Sequence, residues 1–375
     1  MLNIADTMIV GIIGATGYAG AELVRLLAGH PEITKIVPAS VSFQGERIEE
    51  VYPNFQGVVS AVLLKPEAAV DKADVVFAAL PTGVGEAFAK ACMEQGKNFI
   101  DLSADFRFDD DEATFTAWYG KPYIYPELRQ RSVYGLPELN RARIRELAVR
   151  GPLIIGSPGC YPTGASLGIY PALSLGIAAS GAAIIIDAAS GVTGGGREPS
   201  RSFHYPECAD SLAPYKVGAH RHTPEISRNL TFMTCASSSP VIFTPHLAPM
   251  NRGILSTIYI PLAEVCRLEQ RAQPRPPAKA VTERAEEIRE RYAAFYEHEP
   301  FVRVLPKGGI ASTGRVRLSN FCDISVHLDQ TGTMLIIATA MDNMVKGAAG
   351  QAIQNMNIIY GFDERAGLTA PPASF

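Results

Sequence analysis

The chain of 375 residues has little that would tie it to a membrane, a nucleic acid or an oxidising compartment. Its six cysteines, at positions 92, 160, 208, 235, 266 and 322, are scattered and include no C-x-x-C pair, which argues against a zinc site or a disulfide framework and leaves free thiols. No metal is expected. Positive charge is not in excess: 34 Lys and Arg against 38 Asp and Glu give a formal charge of -4, which disfavours nucleic acid as the main partner and leaves small molecules. The opening, MLNIADTMIVGIIGATG, lacks the basic segment, long apolar core and cleavage site of a secretory signal, so the expected location is the cytoplasm. Residues 151–186 lack charge altogether and are long enough for a bilayer. Pro158, Pro162, Pro171 and six glycines from Gly156 to Gly181 nevertheless cut that stretch into pieces too short to span, which predicts a buried helix followed by a buried strand. No internal repeat of fixed period is present.

What is there begins with an alternation of strand and helix patterns: MIVGIIGA, AGAELVRLLAGH, ITKIVPAS, ADVVFAALP, GVGEAFAKACMEQG and NFIDLS. Such alternation predicts a parallel sheet with helices on both faces, and the length calls for a second domain. Around Asp105 to Glu138 the pattern dissolves into aromatic, Pro-rich text, read as a connecting segment packed by its own rings. A new unit starts near Pro152 with the helix GCYPTGASLG, the strand AAIIIDAAS, the loop GVTGGGR and the strands SSPVIFTPHL, GILSTIYIPL, FCDISVHLD and TMLIIATA, which predict an α+β domain with a mostly antiparallel sheet. QRAQPRPPAKA reads as a polar loop and VTERAEEIRERYAAFYEH as a helix. DNMVKGAAGQAIQNMN reads as a last helix, with Asp342 or Asn343 as its N-cap and a small-residue face of Gly347, Ala348, Gly350 and Ala352.

GIIGATGYAG sets Gly11, Gly14, Gly17 and Gly20 in the turn between the first strand and first helix. Glycines there let the backbone approach a pyrophosphate, which sits on the free N–H groups of the helix N-terminus. Gly14, Ala15, Thr16, Gly17, Tyr18, Ala19 and Gly20 are therefore expected to bind a dinucleotide. After the second strand, PASVSFQGER has no acid before Glu46 to hold a ribose 2'-hydroxyl. Ser40, Ser42 and Arg47 favour the 2'-phosphate of NADP instead.

Cys160 precedes Pro162 at what reads as a helix start. A thiol there meets unpaired N–H groups and the positive end of the dipole, which lower its pKa from about 8.5 and favour the thiolate nucleophile. Cys92, Cys235 and Cys266 read as packed thiols, as do Cys208 and Cys322. GAHRHTPEI supplies an acid/base partner in His220 or His222; spacing alone does not choose between them. The rigid Thr223-Pro224 step favours His222 as the acid/base and His220 as a substrate or phosphate contact.

Together GATGYAGAELVRLL, DLSADFR, GSPGCYPT, SGVTGGGR, HRHTPEI, TPHLAPMNRGIL, FVRV, NFCDI and DNMVKGAAGQAIQNMN closely resemble the N-acetyl-gamma-glutamyl-phosphate reductase family of arginine biosynthesis, in order and over nearly the whole chain. The resemblance implies a Rossmann domain plus a catalytic domain of the glyceraldehyde-3-phosphate dehydrogenase type. It implies NADPH-dependent reduction of an acyl phosphate through a Cys160 thioester, and a homotetramer or homodimer. It also implies that the last helix returns to the nucleotide domain, giving 1–155 with 341–375 and, between them, a catalytic and oligomerisation domain, 156–340. Asn343 is placed with the cofactor residues, and Ser157, Arg107, Arg197 and Arg201 with the substrate's phosphate and carboxylate, which guanidinium groups match. Two departures stand out: no Ser-Arg pair follows the second strand, and Leu318 in VRLSNFCDI occupies a place usually held by glycine. Rival readings are a reductase of N-acetyl-aminoadipyl phosphate or aspartyl phosphate, and a redox-sensing NADP-binding regulator.

Overall fold

The computed structural model describes residues 8–233, 239–267 and 277–374. Two compact units emerge, Met1–Gly159 with Ala348–Ala370 and Cys160–Gly347 with Pro371–Phe375.

The first unit carries strands β1 (Met8–Ile13), β2 (Ile33–Ala39), β3 (Val75–Ala78), β4 (Asn98–Asp101), β5 (Ser132–Tyr134) and β6 (Ile154–Gly156). They form one parallel sheet in the order β2-β1-β3-β4-β6-β5. Every residue of β3 is buried, as expected of a parallel strand covered on both faces. Pro38, which cannot donate to a ladder, is confined to the edge strand β2. Helices α1 (Tyr18–Leu27), α2 (Ile48–Val51), α3 (Pro66–Lys72), α4 (Gly85–Glu94), α5 (Glu112–Tyr119) and α6 (Pro137–Val149) complete the alternation.

The segment from Asp105 to Glu138 is more than a connection. It contains α5, capped by the Asp111 carboxylate on the Thr114 N–H at 2.9 Å, and strand β5, which pairs with β6. Its rings do pack on one another, Phe115 stacking on Tyr119 at 5.1 Å, but the fixed point is polar. The Arg129 guanidinium lies 3.7 Å from the Tyr123 ring centroid and 4.6 Å from that of Phe106, and pairs with Glu86 at 2.8 Å. A guanidinium between two rings is invisible to hydrophobic periodicity.

The second unit holds β7 (Ile184–Ser190), β8 (Ala213–Pro214), β9 (Val241–Leu247), β10 (Ile254–Pro261), β11 (Val302–Val304), β12 (Cys322–Leu328) and β13 (Met334–Met341) in the order β11-β12-β13-β10-β7-β9-β8. The sheet is mixed and mostly antiparallel, with β7/β9 and β11/β12 the parallel pairs. Helices α7 (Cys160–Ser174), α8 (Tyr205–Cys208), α9 (Thr223–Met233) and α10 (Ala278–Phe295) accompany it. The expected polar loop after Cys266 falls largely outside the described residues, as does Cys235, and residues 278–280 already belong to α10.

The charge-free stretch holds β6, the buried helix α7 and the start of β7; β7 alternates buried and exposed residues instead of being buried throughout as expected. Among the described residues no helix is long and apolar enough to cross a membrane. Strand β10 alternates strictly, Ile254, Ser256, Ile258 and Ile260 facing inward, and α7 lies on β10 and β13. Pro171 inside α7 has no N–H for the Leu167 carbonyl one turn back. The hydroxyl of Tyr296, the residue that follows α10, donates to that carbonyl at 2.6 Å, and Tyr292 on α10 donates to the Gly168 carbonyl at 3.0 Å. The thiol-bearing helix is thereby pinned from the side.

The terminal helix begins as a π-turn, Val345–Ala349, and continues as α11 (Gly350–Tyr360), packed on α6 and α1 of the first unit. Asp342 is its cap, accepting from the N–H groups of Met344 at 2.8 Å and Val345 at 3.3 Å. Along α11 the buried face includes Gln351, Gln354, Asn355 and Asn357; the last two reach residues encoded far earlier in the same unit. Asn355 donates to the Gly135 carbonyl at 2.8 Å, and Asn357 meets the buried His30 ring at 2.9 Å.

Candidate active site

Cys160 opens α7 and is half-buried, at the helix end where free N–H groups and the dipole favour an anion. Gly347 of the π-turn makes this seat: a Cβ there would lie 2.9 Å from the Cys160 Cβ, too close for carbon. Of the small residues anticipated in the last helix, Gly347 is the one that lies against the thiol-bearing residue. Cys92, Cys266 and Cys322 are buried, and burial pushes the Cys92 thiol up to about 12.

Next to the thiol stands a cluster of rings. Tyr161 is buried and meets His220 at 5.7 Å, His222 at 5.9 Å and Phe243 at 5.2 Å between centroids. Its hydroxyl accepts from Tyr215 at 3.2 Å and donates to the His246 carbonyl at 3.3 Å. Burial above all raises the Tyr215 phenol to about 12, the hydrogen bond to Tyr161 opposing and the nearby Cys160 adding to it, and Tyr161 is held higher still for the same first reason. Neither tyrosine was singled out in the sequence, although Tyr161 adjoins the thiol.

His220 is enclosed by Tyr161, Tyr215, Phe243 and His222. Burial, then Lys216 and Arg221, push it down to about 4, so its imidazole is neutral at pH 7. The His222 backbone N–H donates to its Nδ1 at 3.1 Å, which leaves the ring proton on Nε2. His222 sits immediately before α9 and its carbonyl accepts from Ile226 at 3.0 Å, the rigid helix entrance expected from HTPEI. The two histidines, 4.8 Å apart, and the two tyrosines thus belong to one cluster beside Cys160. No group of three or more His, Cys, Asp or Glu among the described residues is placed to hold a metal.

Asn343 is committed locally. Its Oδ1 accepts from the Gly253 N–H at 2.7 Å and its amide donates to Thr193 at 3.0 Å, so it ties the glycine loop Val192–Gly195 to the 251–253 turn. The adjacent Asp342 receives the Leu318 N–H at 2.7 Å and faces Arg252 at 3.3 Å. Leu318 itself has φ +63°, the left-handed region, which explains why glycine is usual there. Arg197 is exposed on its loop, and the Arg201 side chain is 93% exposed, 3.9 Å from Glu207.

In the first unit, Arg107 is buried. Its Nε donates to the Ser157 carbonyl at 2.8 Å and a terminal nitrogen to the Leu102 carbonyl at 3.1 Å. Ser157 is also buried, its N–H on the Asp101 carbonyl at 2.8 Å, and its hydroxyl has no hydrogen-bond partner. These two residues are brought together; Arg197 and Arg201 belong to the other unit.

The loop between β1 and α1 fits a dinucleotide. Gly14 has φ +81°, and a Cβ on it would overlap the Ala79 carbonyl oxygen after β3. A Cβ on Gly17, the N-cap of α1, would meet the Gly14 carbonyl oxygen at 3.5 Å in ordinary contact, and the first turn of α1 carries no acid and no side-chain cap. The N–H groups there are available to a pyrophosphate, and β1/β3 is the point where strand order reverses. Thr16 and the buried Ser40 share a hydrogen bond of 2.9 Å. Ser42 is exposed. Arg47, in contrast, is already engaged: Nε holds Glu49 at 2.8 Å and a terminal nitrogen bonds Ser60. It is an ion-paired side chain, 46% exposed.

A nucleotide-binding parallel sheet joined to a mixed sheet whose first helix opens on a thiol defines a semialdehyde dehydrogenase. Residues 9–147 match the family described as semialdehyde dehydrogenase, NAD binding domain, and residues 160–343 the semialdehyde dehydrogenase, dimerisation domain. Solved structures with this fold include aspartate semialdehyde dehydrogenase II from Vibrio cholerae (TM-score 0.69, 14% identity, 95% of this chain and 99% of that one) and the NADP-bound aspartate semialdehyde dehydrogenase from Candida albicans (0.64, 17%, 95% and 99%). Proteins named N-acetyl-gamma-glutamyl-phosphate reductase from Clostridium kluyveri and Clostridium beijerinckii are 45% and 46% identical, each over 98% of this chain and 99% of theirs; that from Brachyspira hyodysenteriae is 44% identical over the same shares. The chain belongs to the N-acetyl-gamma-glutamyl-phosphate reductase family.

Proposed function

We propose that the protein reduces N-acetyl-glutamyl 5-phosphate to N-acetyl-glutamate 5-semialdehyde and phosphate, with NADPH, in arginine biosynthesis. The observation that carries the chemistry is Cys160 at the start of α7 with the Tyr161 ring against both histidines. The Cys160 thiolate attacks the acyl phosphate carbon, the C–O bond to phosphate breaks, and a thioester remains. Bound NADPH supplies the hydride that reduces it. His222 then moves the proton as the C–S bond of the thiohemiacetal breaks and the thiolate is restored. The neutral Nε2–H of His220 donates to the substrate, and the Arg107–Ser157 pair is the substrate-side element of the first unit, the Ser157 hydroxyl being the group left to bond it.

NADPH is preferred over NADH because no acid ends β2 and Ser40 and Ser42 offer hydroxyls in its place; Arg47, held by Glu49, is not the deciding group. The enzyme works in the cytoplasm as a dimer or tetramer. The outward face of the second sheet supports self-association, with Ile185 and Ile242 exposed beside half-buried Leu255, Tyr259 and Ile336. The deciding assay is phosphate-dependent reduction of NADP with N-acetyl-glutamate 5-semialdehyde, run beside aspartate semialdehyde. Absence of phosphate dependence, or better turnover of aspartate semialdehyde, overturns the assignment.

A further inference from the structure

Behind the β1/β3 crevice two carboxylates meet with no surface exposure. Asp105 spends both oxygens on one loop: Oδ1 accepts from the Gly83 N–H at 2.6 Å and Oδ2 from the Gly85 N–H at 3.0 Å. Gly85 is the first residue of α4, whose own N-cap, Val84, offers no side-chain bond, so Asp105 caps that helix from twenty residues downstream. Asp101, at the end of β4, is held by the Ser103 N–H at 3.0 Å and hydroxyl at 2.7 Å. A Cβ on Gly85 would lie 3.2 Å from Asp105 Oδ2 and 3.3 Å from Asp101 Oδ1, which sets both carboxyl groups against one backbone atom. The loop they hold follows Ala79, whose carbonyl underlies Gly14 of the nucleotide turn. Loops after β1 and β3 are the two walls of the crevice at a topological switch point.

We propose that Asp105 is a positioning residue for the dinucleotide, fixing residues 80–85 as the wall opposite Gly14, and that Asp101 holds the one proton that lets Asp105 remain an anion. The proposal rests on the reading that this crevice takes NADPH, and assigns a function to DLSADFR beyond its arginine. Burial, then the neighbouring Asp105, push the Asp101 carboxyl up to about 7, whereas the two loop N–H groups oppose the burial that raises Asp105. The charged groups facing the pair are Glu86 on α4, Arg107, and Arg129, which donates to the Asp105 carbonyl at 2.7 Å; Lys121 reaches the loop at the Thr82 carbonyl. When Asp101 ionises, two adjacent buried anions repel and the wall loosens.

The test is NADPH titration followed by the fluorescence of the bound dihydronicotinamide, without substrate, from pH 6.5 to 8.5, alongside thermal melting of the free protein. Asp105→Asn, whose amide would turn an N–H toward one of the two loop donors, should weaken binding roughly tenfold at pH 7. Wild-type affinity should fall several-fold across the range, and Asp101→Asn, locked in the one-charge form, should bind with no such fall. Wild-type affinity in a folded Asp105→Asn, or an unchanged pH dependence in Asp101→Asn, overturns the proposal; the second arm decides it if Asp105→Asn does not fold. A wild type that binds no NADPH refutes the cofactor reading itself, and the proposal with it.

Discussion

Replacing Gly347 by alanine should slow the first chemical step while leaving every group that performs it chemically unchanged. The new Cβ would stand 2.9 Å from the Cys160 Cβ, 3.3 Å from its Cα and 3.4 Å from the Asp342 carbonyl oxygen. Carbon atoms rest at about 3.5–4.0 Å, so the first contact is roughly 0.6 Å or more too short. The turn cannot easily back away, because Asp342 is held by Leu318, Met344 and Arg252. Nor can the body of α7, tied by Tyr292 and Tyr296. The strain therefore falls on the first residue of α7, the nucleophile. Overpacking of this kind costs about 1–3 kcal/mol of stability, and displacing a reacting atom by about half an ångström costs on the order of tenfold in rate. Single-turnover release of phosphate from the acyl phosphate measures acylation directly, beside melting temperature and NADPH affinity. Acylation should fall tenfold or more while NADPH affinity holds. Acylation within twofold of wild type would refute the claim that Gly347 sets the position of the thiol.

Three further outcomes follow from the same geometry. His222→Asn should remove the basic limb of the turnover profile and cost several orders in kcat, whereas His220→Asn should keep the limb and mainly raise KM; steady-state kinetics against pH checks both, and the reverse pattern moves the acid/base role to His220. Leu318→Gly should raise stability by about 0.5–1 kcal/mol, since the left-handed backbone costs leucine about 1–2 kcal/mol and part of the gain is lost to glycine's freedom in the unfolded chain; denaturant midpoints decide it, and a loss would contradict the φ of +63°. Because His220 is held at about 4, below its usual 6.5, the folded state binds fewer protons than the unfolded one, and stability is lost as pH falls from 6.5 toward 4; His220→Asn should take up about one proton fewer on unfolding in that window, measured from the pH slope of the unfolding free energy.

Much of the scaffold is legible in the sequence because it rests on local rules. The strands MIVGII and VVFA are apolar throughout since both faces are covered, ILSTIYIP alternates since one face is, and Pro162 announces a helix start around Cys160. The rest depends on partners far along the chain. Arg47 is held by Glu49 and Ser60, and the Asn343 amide by Gly253 and Thr193, partners that the local text does not announce. The Asp105–Glu138 text hides a helix and a strand because its anchor is Arg129 with Glu86, across 43 residues, and polar anchors leave no hydrophobic period. Tyr161 sits inside GSPGCYPT but has no role signalled there, and Tyr215 lies in no motif. The two acids in DLSADFR were a signal that could have been read: carboxylates four apart at the end of an apolar strand are seldom left in solvent.

The return of α11 to the first unit also sets a timetable for synthesis. His30 waits for Asn357, 327 residues later, Asn98 for Tyr360 and Arg141 for Glu364, so the nucleotide-binding unit begins before the second unit and is completed only after nearly all of it has been made. Contacts of such long range are entropically slow to form. Until they do, the surface that α11 will cover, with the ring of His30 in it, stays open to other chains. A chain shortened before Gly350 would therefore lose the unit encoded at its beginning, and refolding from denaturant should recover the nucleotide-binding unit no sooner than the catalytic one.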